Sequence, residues 1–226
     1  MDQSELSVRG YDRLAKVYRG LEFCLFGNSL YRARVALVDQ LPVTGRALVL
    51  GDGTGQVLQQ LCLTQPNCQI TTVDQSEQML RRQRRRVERV GASDRVMFVQ
   101  TDARTFPVPT DKYDLLVAAF ILDCFTESEL ADCLPRFLAG LRPQGMFYFV
   151  DFVWPKTRWR RRQAAAYQWL MHRFFRWQTG LPNRRLVDLE CVLAGQNLVT
   201  LHSADRLHPM TSCRILKVGW DSGMSD

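Results

Sequence analysis

The chain alternates two hydrophobic rhythms. Short runs of apolar, β-branched and aromatic residues occur at 47–50, 70–73, 96–99, 113–122 and 146–152. Between them lie stretches with apolar positions three and four apart, at 55–62, 77–90 and 127–141. The first texture belongs to strands covered on both faces, the second to helices with one packed face. Their regular alternation predicts a parallel sheet with helices on both sides. The run Leu115-Leu116-Val117-Ala118-Ala119-Phe120-Ile121-Leu122 has eight residues. A membrane-spanning helix needs about 20, so this run predicts a buried strand. A helical segment within 5–41 precedes the first strand, and Pro42 and Gly45 punctuate the junction.

After residue 152 the texture changes. Residues 157–178 predict a helix rich in arginine and aromatics, broken at Pro182-Asn183. Residues 186–193 predict a short helix ended by Gly195 or Asn197. Runs at 198–207 and 210–218 predict two strands turned at His208-Pro209 and paired antiparallel at the end of the sheet. On a helical wheel Tyr167, Leu170, Met171, Phe174 and Trp177 share a face with Ala164 and Ala166. Gln168, His172, Arg173 and Arg176 take the other. Core packing is the ordinary explanation of such an apolar face. The functional explanation is a lid over a greasy substrate pocket, with the Tyr167 hydroxyl as its polar handle. His172, on the polar face, is a poor candidate for a base. The expected organisation is one domain over 1–226, with an N-terminal helical cap over 1–41 and a lid-like insertion over 153–185.

Composition narrows the class. With 226 residues, 46% hydrophobic and 23% charged, the chain has the balance of a globular α/β domain and excludes disorder, collagen-like repeats and a coiled coil. The polar start Met1-Asp2-Gln3-Ser4-Glu5 predicts no signal peptide. Seven cysteines are scattered without a Cys-x-x-Cys pair and the 3 histidines are dispersed. That excludes a zinc spacing and favours reduced thiols in a cytoplasmic protein. The net charge of +7, from 30 Lys+Arg against 23 Asp+Glu, favours anionic partners. The excess sits in Arg81-Arg82-Gln83-Arg84-Arg85-Arg86 with Arg89, and in Arg158-Trp159-Arg160-Arg161-Arg162 after Trp154. The first block lies opposite Met79, Leu80, Val87 and Val90 and predicts a solvated helix face. The second interleaves aromatics with arginine, as surfaces that meet phospholipid headgroups or RNA do. No separate RNA-binding module accompanies it, so peripheral contact with an anionic membrane surface is favoured over nucleic acid.

The most specific chemistry lies in Ala47-Leu48-Val49-Leu50-Gly51-Asp52-Gly53-Thr54-Gly55. A strand runs into Gly-x-Gly-x-Gly and then a helix, a turn that brings a ligand close to backbone and helix N-terminus. The next strand ends in Asp74, 19 residues after Gly55, where an acid can hold both hydroxyls of a ribose. The third ends in Asp102. Three adjacent strand tips thus predict an adenosine-type ligand at the carboxyl edge of the sheet. The glycine spacing is neither that of nicotinamide enzymes nor that of a P-loop.

On these residues the sequence resembles the class I S-adenosylmethionine-dependent methyltransferases. The carriers are Leu50-Gly51-Asp52-Gly53-Thr54-Gly55, Asp74, Asp102-Ala103, Tyr113-Asp114-Leu115-Leu116 and Leu141-Arg142-Pro143-Gln144-Gly145. Within the class it is most similar to the ubiquinone/menaquinone-type small-molecule branch, through Tyr11-Asp12-Arg13-Leu14-Ala15-Lys16-Val17-Tyr18. The resemblance implies S-adenosyl-L-methionine as cofactor. It puts Tyr18 near the methionine part, Gly51, Gly53 and Gly55 along methionine and ribose, Asp74 with Gln75 at the ribose, Asp102-Ala103 at the adenine, and Ala119 beside the methyl end. The family's usual acid two residues before the first glycine is Val49 here, and Asp52 is expected to supply that carboxylate.

Methyl transfer from a sulfonium is an in-line displacement that chiefly needs alignment. A base is needed only where the acceptor must lose a proton. Asp123 follows the apolar run at a strand tip, where desolvation raises a carboxyl pKa. It is the expected catalytic residue. Capping the next helix is the plainer alternative, although Thr126-Glu127-Ser128-Glu129 is the better capping box. Asp151, at the end of 146–152, is a second candidate on the substrate side, or simply satisfies backbone groups there.

The expected fold is α/β: a doubly wound, Rossmann-like, seven-stranded, mainly parallel sheet with a C-terminal antiparallel hairpin. The expected function is methyl transfer to a small lipophilic or aromatic molecule, with no metal. The alternatives are an RNA or protein methyltransferase using the arginine faces, and a non-catalytic binding module on the same fold.

Overall fold

A computed structural model describes residues 28–152, 187–204 and 211–219. The expected lid over 153–185, with Tyr167 and His172, lies outside the described residues. So does Tyr18.

The described residues form one seven-stranded sheet in the order β3-β2-β1-β4-β5-β7-β6. Its strands are β1 (Arg46–Leu50), β2 (Gln69–Asp74), β3 (Val96–Gln100), β4 (Tyr113–Ala119), β5 (Leu141–Phe152), β6 (Leu198–Ser203) and β7 (Thr211–Val218). The first five pair in parallel, and β7 runs antiparallel to both β5 and β6. The helices are α1 (Ser29–Val35), α2 (Gln56–Thr64), α3 (Glu77–Arg89), α4 (Glu127–Ala139) and α5 (Leu189–Ala194).

The apolar runs are continuous because the sheet has two cores. Ala47 and Val49 of β1 join one apolar cluster, with Val57, Leu58 and Leu61 of α2. Leu48 and Leu50 join the other, with Leu130, Leu134 and Phe137 of α4. Alternate side chains of one strand thus enter opposite cores, as a doubly covered sheet requires.

Two boundaries differ from the sequence reading. The strand expected over 113–122 stops at Ala119, because Phe120 has φ +56° and a short 3-10 turn follows over Leu122–Cys124. The helix expected over 127–141 ends at Ala139, and Leu141 instead opens β5 beside Tyr113. An apolar residue after a helix reads as its last turn until its strand partner is known. The expected short helix over 186–193 is α5, which starts at Leu189 behind Asp188, whose carboxylate accepts the Cys191 amide at 3.3 Å. The expected hairpin is present as β6 and β7, and its turn lies outside the described residues. The described cysteines carry no disulfide. Among the described residues no helix is long and apolar enough to cross a membrane.

Helix α1 is tied to the sheet by one phenol. The Tyr148 hydroxyl on β5 donates to the Arg34 carbonyl at 2.9 Å and accepts from the Leu37 amide and the Cys213 thiol, each at 3.3 Å. Burial pushes its pKa far up, so it remains a neutral donor. This holds α1 against β5 and β7.

Candidate active site

The strand order reverses direction between β1 and β4, and open α/β sheets bind ligands in the crevice at such a point. Two loops flank it: the glycine loop after β1 and the turn after β4. They are in contact. A Cβ on Gly51 (φ +55°) would lie 2.2 Å from Ile121 Cδ1, so the missing side chain is what lets the two loops close. Gly53 has the same φ, yet a Cβ there would meet no described residue within 4 Å. Open space therefore begins above Gly53, while Gly51 serves the packing beneath.

Asp74 stands half-buried at the tip of β2. Its carboxylate accepts the Ser76 amide at 3.0 Å and Gln83 Nε2 at 3.4 Å. The same Nε2 donates to the Gly53 carbonyl at 3.0 Å, and Gln83 Oε1 accepts the Thr72 hydroxyl at 2.8 Å. One fully buried amide on α3 thus locks the glycine loop to the tip of β2. The sequence reading missed Gln83 because it is embedded in arginines. Its wheel position was the signal, four residues from both Met79 and Val87 on the buried face. The arginines around it behave as expected of a solvated face: Arg81 and Arg84 pair with Glu77, and Arg86 donates to Gln59. Gln75 follows Asp74, half-buried, in the turn to α3.

At the tip of β3, Asp102 is gripped by Arg104. The guanidinium donates to both carboxylate oxygens, at 3.3 and 3.1 Å, to Glu129 Oε1 at 2.8 Å and to the Cys124 carbonyl at 3.0 Å. It also lies 4.6 Å from the Phe125 ring centre. Glu129 closes the capping box of α4 with Thr126, as the sequence predicts, and is held below its usual pKa by the Thr126 amide and hydroxyl and by Arg104, which together outweigh its desolvation. Arg104 therefore joins the expected adenine end, where Ala103 is buried, to the turn after β4.

Asp52 takes a different role from the one expected. It is 3% exposed, and its two oxygens accept the Leu58 amide at 2.8 Å and the Val57 amide at 3.3 Å. The carboxylate is spent on the first turn of α2, where unpaired amides favour an anion. Burial nevertheless pushes its pKa up to about 6. Arg34 on α1 pulls the other way. It is itself buried, donates to Gln56 Oε1 at 2.7 Å and stacks 5.0 Å from the Phe120 ring centre. Arg34 is a second residue the sequence reading missed. A cation on the apolar stripe Leu30, Ala33, Leu37, Val38 and Leu41 was the available signal.

Phe120 is an aromatic residue in the left-handed region, an outlier that must be held in place. Its amide donates to the Val150 carbonyl at 2.7 Å and its ring packs 4.9 Å from Phe152. Ala119, buried, ends β4 beside Val150. The turn after this reversal carries Asp123, two residues beyond the Ile121 that packs on Gly51. Asp123 is half-exposed, yet its dense surroundings push its pKa up to about 6, and Cys124 Sγ donates to it at 3.5 Å. The helix cap is Thr126, not Asp123. Asp151 is fully buried with both oxygens on main-chain amides, which is the plainer of the two expectations for it.

The glycine loop, Asp74 and the turn bearing Asp123 therefore meet around one crevice. Asp52 and Asp151 face inward, each onto backbone. Residues 47–145 match the family described as a methyltransferase domain. The ubiquinone/menaquinone biosynthesis C-methyltransferase UbiE of Pseudomonas fluorescens is 33% identical over 123 residues, covering 54% of this chain and 47% of that protein. The chain thus spans about half the length of the curated relatives it matches. Among solved structures, the N-methyltransferase NodS of Bradyrhizobium japonicum, in complex with S-adenosyl-L-homocysteine, is 14% identical with a TM-score of 0.57, covering 84% of each chain. An O-methyltransferase family 2 protein of Planctomyces limnophilus is 18% identical with a TM-score of 0.65, covering 89% of this chain and 61% of that one. At such identities the structural likeness concerns the fold. The matched segment, the glycine loop and the strand order together support a class I S-adenosylmethionine-dependent methyltransferase fold for this chain.

Proposed function

We propose that the protein transfers the methyl group of S-adenosylmethionine to a small lipophilic or aromatic acceptor. The observation that carries this reading is the open space above Gly53, in a loop tied to Asp74 through Gln83 and packed, through Gly51, on the turn that bears Asp123. The bound cofactor supplies an activated methyl on sulfur. The chain's own residues do the rest. Gly53 offers backbone and no side chain where a ligand must approach closely. Asp74 is the acceptor for ribose hydroxyls, held in register with Gly53 by Gln83. Arg34, between the glycine loop and Phe120, is a buried cation suited to an amino-acid carboxylate. Asp102 reaches an adenine only by sharing its carboxylate with Arg104.

Asp123 takes a proton from the acceptor as the carbon–acceptor bond forms. Its raised pKa of about 6 leaves it ionised at neutral pH and more basic than an ordinary carboxylate, as a general base requires. The small-molecule reading is supported by the likeness to UbiE and by the absence, among the described residues, of an added nucleic-acid module. The experiment is Asp123→Asn, assayed as methyl transfer from labelled S-adenosylmethionine into a panel of hydroquinones, phenols and indoles. Turnover should fall by about 10²–10⁴ while cofactor affinity stays within about threefold. Unchanged turnover would remove Asp123 from the mechanism.

A further inference from the structure

One carboxyl beside the crevice has more partners than its position at a strand end requires. Asp151 is fully buried near the end of β5. Its Oδ1 accepts the Phe152 amide at 2.8 Å, which by itself satisfies the strand end. Its Oδ2 accepts two further amides, from Leu122 at 3.1 Å and Asp123 at 3.3 Å. Both belong to the turn after β4, on the neighbouring strand. These bonds add to the Ile121 packing on Gly51 and the Arg104 bond to the Cys124 carbonyl in fixing a turn that follows a left-handed Phe120. The second contact is with the main chain of Asp123 itself.

We propose that Asp151 is a positioning residue: its carboxyl clamps the turn that carries Asp123 and so sets where that side chain stands. The inference rests on the reading of Asp123 as the proton acceptor. The charge of one carboxyl opposes ionisation of the other, and such a pair titrates in two steps that belong to both members. Burial and the charge of Asp123 hold the Asp151 carboxyl well above its usual range. The other groups around the pair are few. Arg34 from α1 favours the ionised form of Asp123, and the Cys124 thiol hydrogen-bonds to it. Asp52 on the glycine loop competes for Arg34. On β7 the register partner of Asp151 is the uncharged Ser212, and the Cys213 thiol is engaged by Tyr148.

The test uses the full chain with γ-carboxyl ¹³C-labelled aspartate, followed by NMR from pH 4 to about 9. The Asp123 and Asp151 signals, assigned from Asp123→Asn and Asp151→Asn, should each move in two shared steps in the wild type. In Asp151→Asn the Asp123 signal should move in one. Hydrogen exchange at the Leu122 and Asp123 amides should quicken at least tenfold in Asp151→Ala, and Asp151→Asn, which keeps an acceptor oxygen, should restore most of the protection. An Asp123 titration identical in wild type and Asp151→Asn would overturn the coupling between the two carboxyls. Unchanged exchange in Asp151→Ala would overturn the clamp. Neither readout depends on turnover. Coupled titration with full turnover in Asp123→Asn would therefore sink the base and leave the pair standing.

Discussion

At the residue scale, the two glycines with the same backbone angle separate folding from binding. Gly51→Ala would drive a methyl against Ile121 and strain a left-handed backbone, costs of about 1–2 kcal/mol for the backbone and about 1–3 kcal/mol for the overpacking. Gly53→Ala carries the same backbone cost but has free space for its methyl. Chemical denaturation should rank Gly51→Ala as the less stable of the two. Calorimetry should find that Gly53→Ala, though better folded, binds S-adenosylmethionine at least tenfold more weakly than wild type. Equal stability of the two variants would contradict the packing role of Gly51. Asp52 makes a pH prediction. Its pKa is raised on folding, from 3.8 to about 6, so between those values the native state binds more protons than the unfolded chain. Stability contributed by this group is therefore present at low pH and is lost as pH rises from about 4 to 6. Asp52→Asn removes the titration. The wild type minus variant difference in unfolding free energy should fall across that window by up to about 1.4 kcal/mol per pH unit, then level off. A difference that is flat with pH would refute the desolvated carboxyl.

At the element scale, Gln83 is the residue on which the glycine loop and β2 depend together. Gln83→Leu leaves the buried Thr72 hydroxyl and the Gly53 carbonyl without their partner, and the loss of such pairings costs about 1–3 kcal/mol. Urea unfolding should report that loss, and cofactor affinity should fall with it because Asp74 and Gly53 lose their common tie. Retained affinity would mean that loop and strand hold their places independently. The sequence disclosed the elements well where side-chain rhythm and packing coincide. Strands β1 to β4 and helices α2 to α4 were readable because both cores draw on consecutive residues of the same strand. The reading ran three residues too far in β4, because Phe120, Ile121 and Leu122 remain apolar while the chain turns. Only a backbone angle distinguishes them from strand. Asp74 and Asp123 were legible as acids at strand tips. Gln83, Arg34 and Arg104 were not, since their roles depend on which loops come into contact, a property of the folded sheet rather than of spacing. Asp52 was visible as an acid in the right loop, but the direction of its side chain, onto the amides of α2, was not.

At the scale of the whole molecule, the strand order explains why these pieces meet. The reversal between β1 and β4 opens the crevice, Tyr148 fixes α1 beside it, and Arg104 and Gln83 join its outer strands to its inner loops. The named relatives carry their methyl to carbon, nitrogen and oxygen in turn, so this framework sets the donor's place and leaves the acceptor to the surrounding residues. The most direct test is calorimetric titration of the purified full-length chain with S-adenosylmethionine and with S-adenosylhomocysteine. Both should bind with one-to-one stoichiometry at micromolar affinity, and Asp74→Ala should weaken each at least tenfold. No detectable binding at millimolar ligand, or binding indifferent to Asp74, would contradict the account.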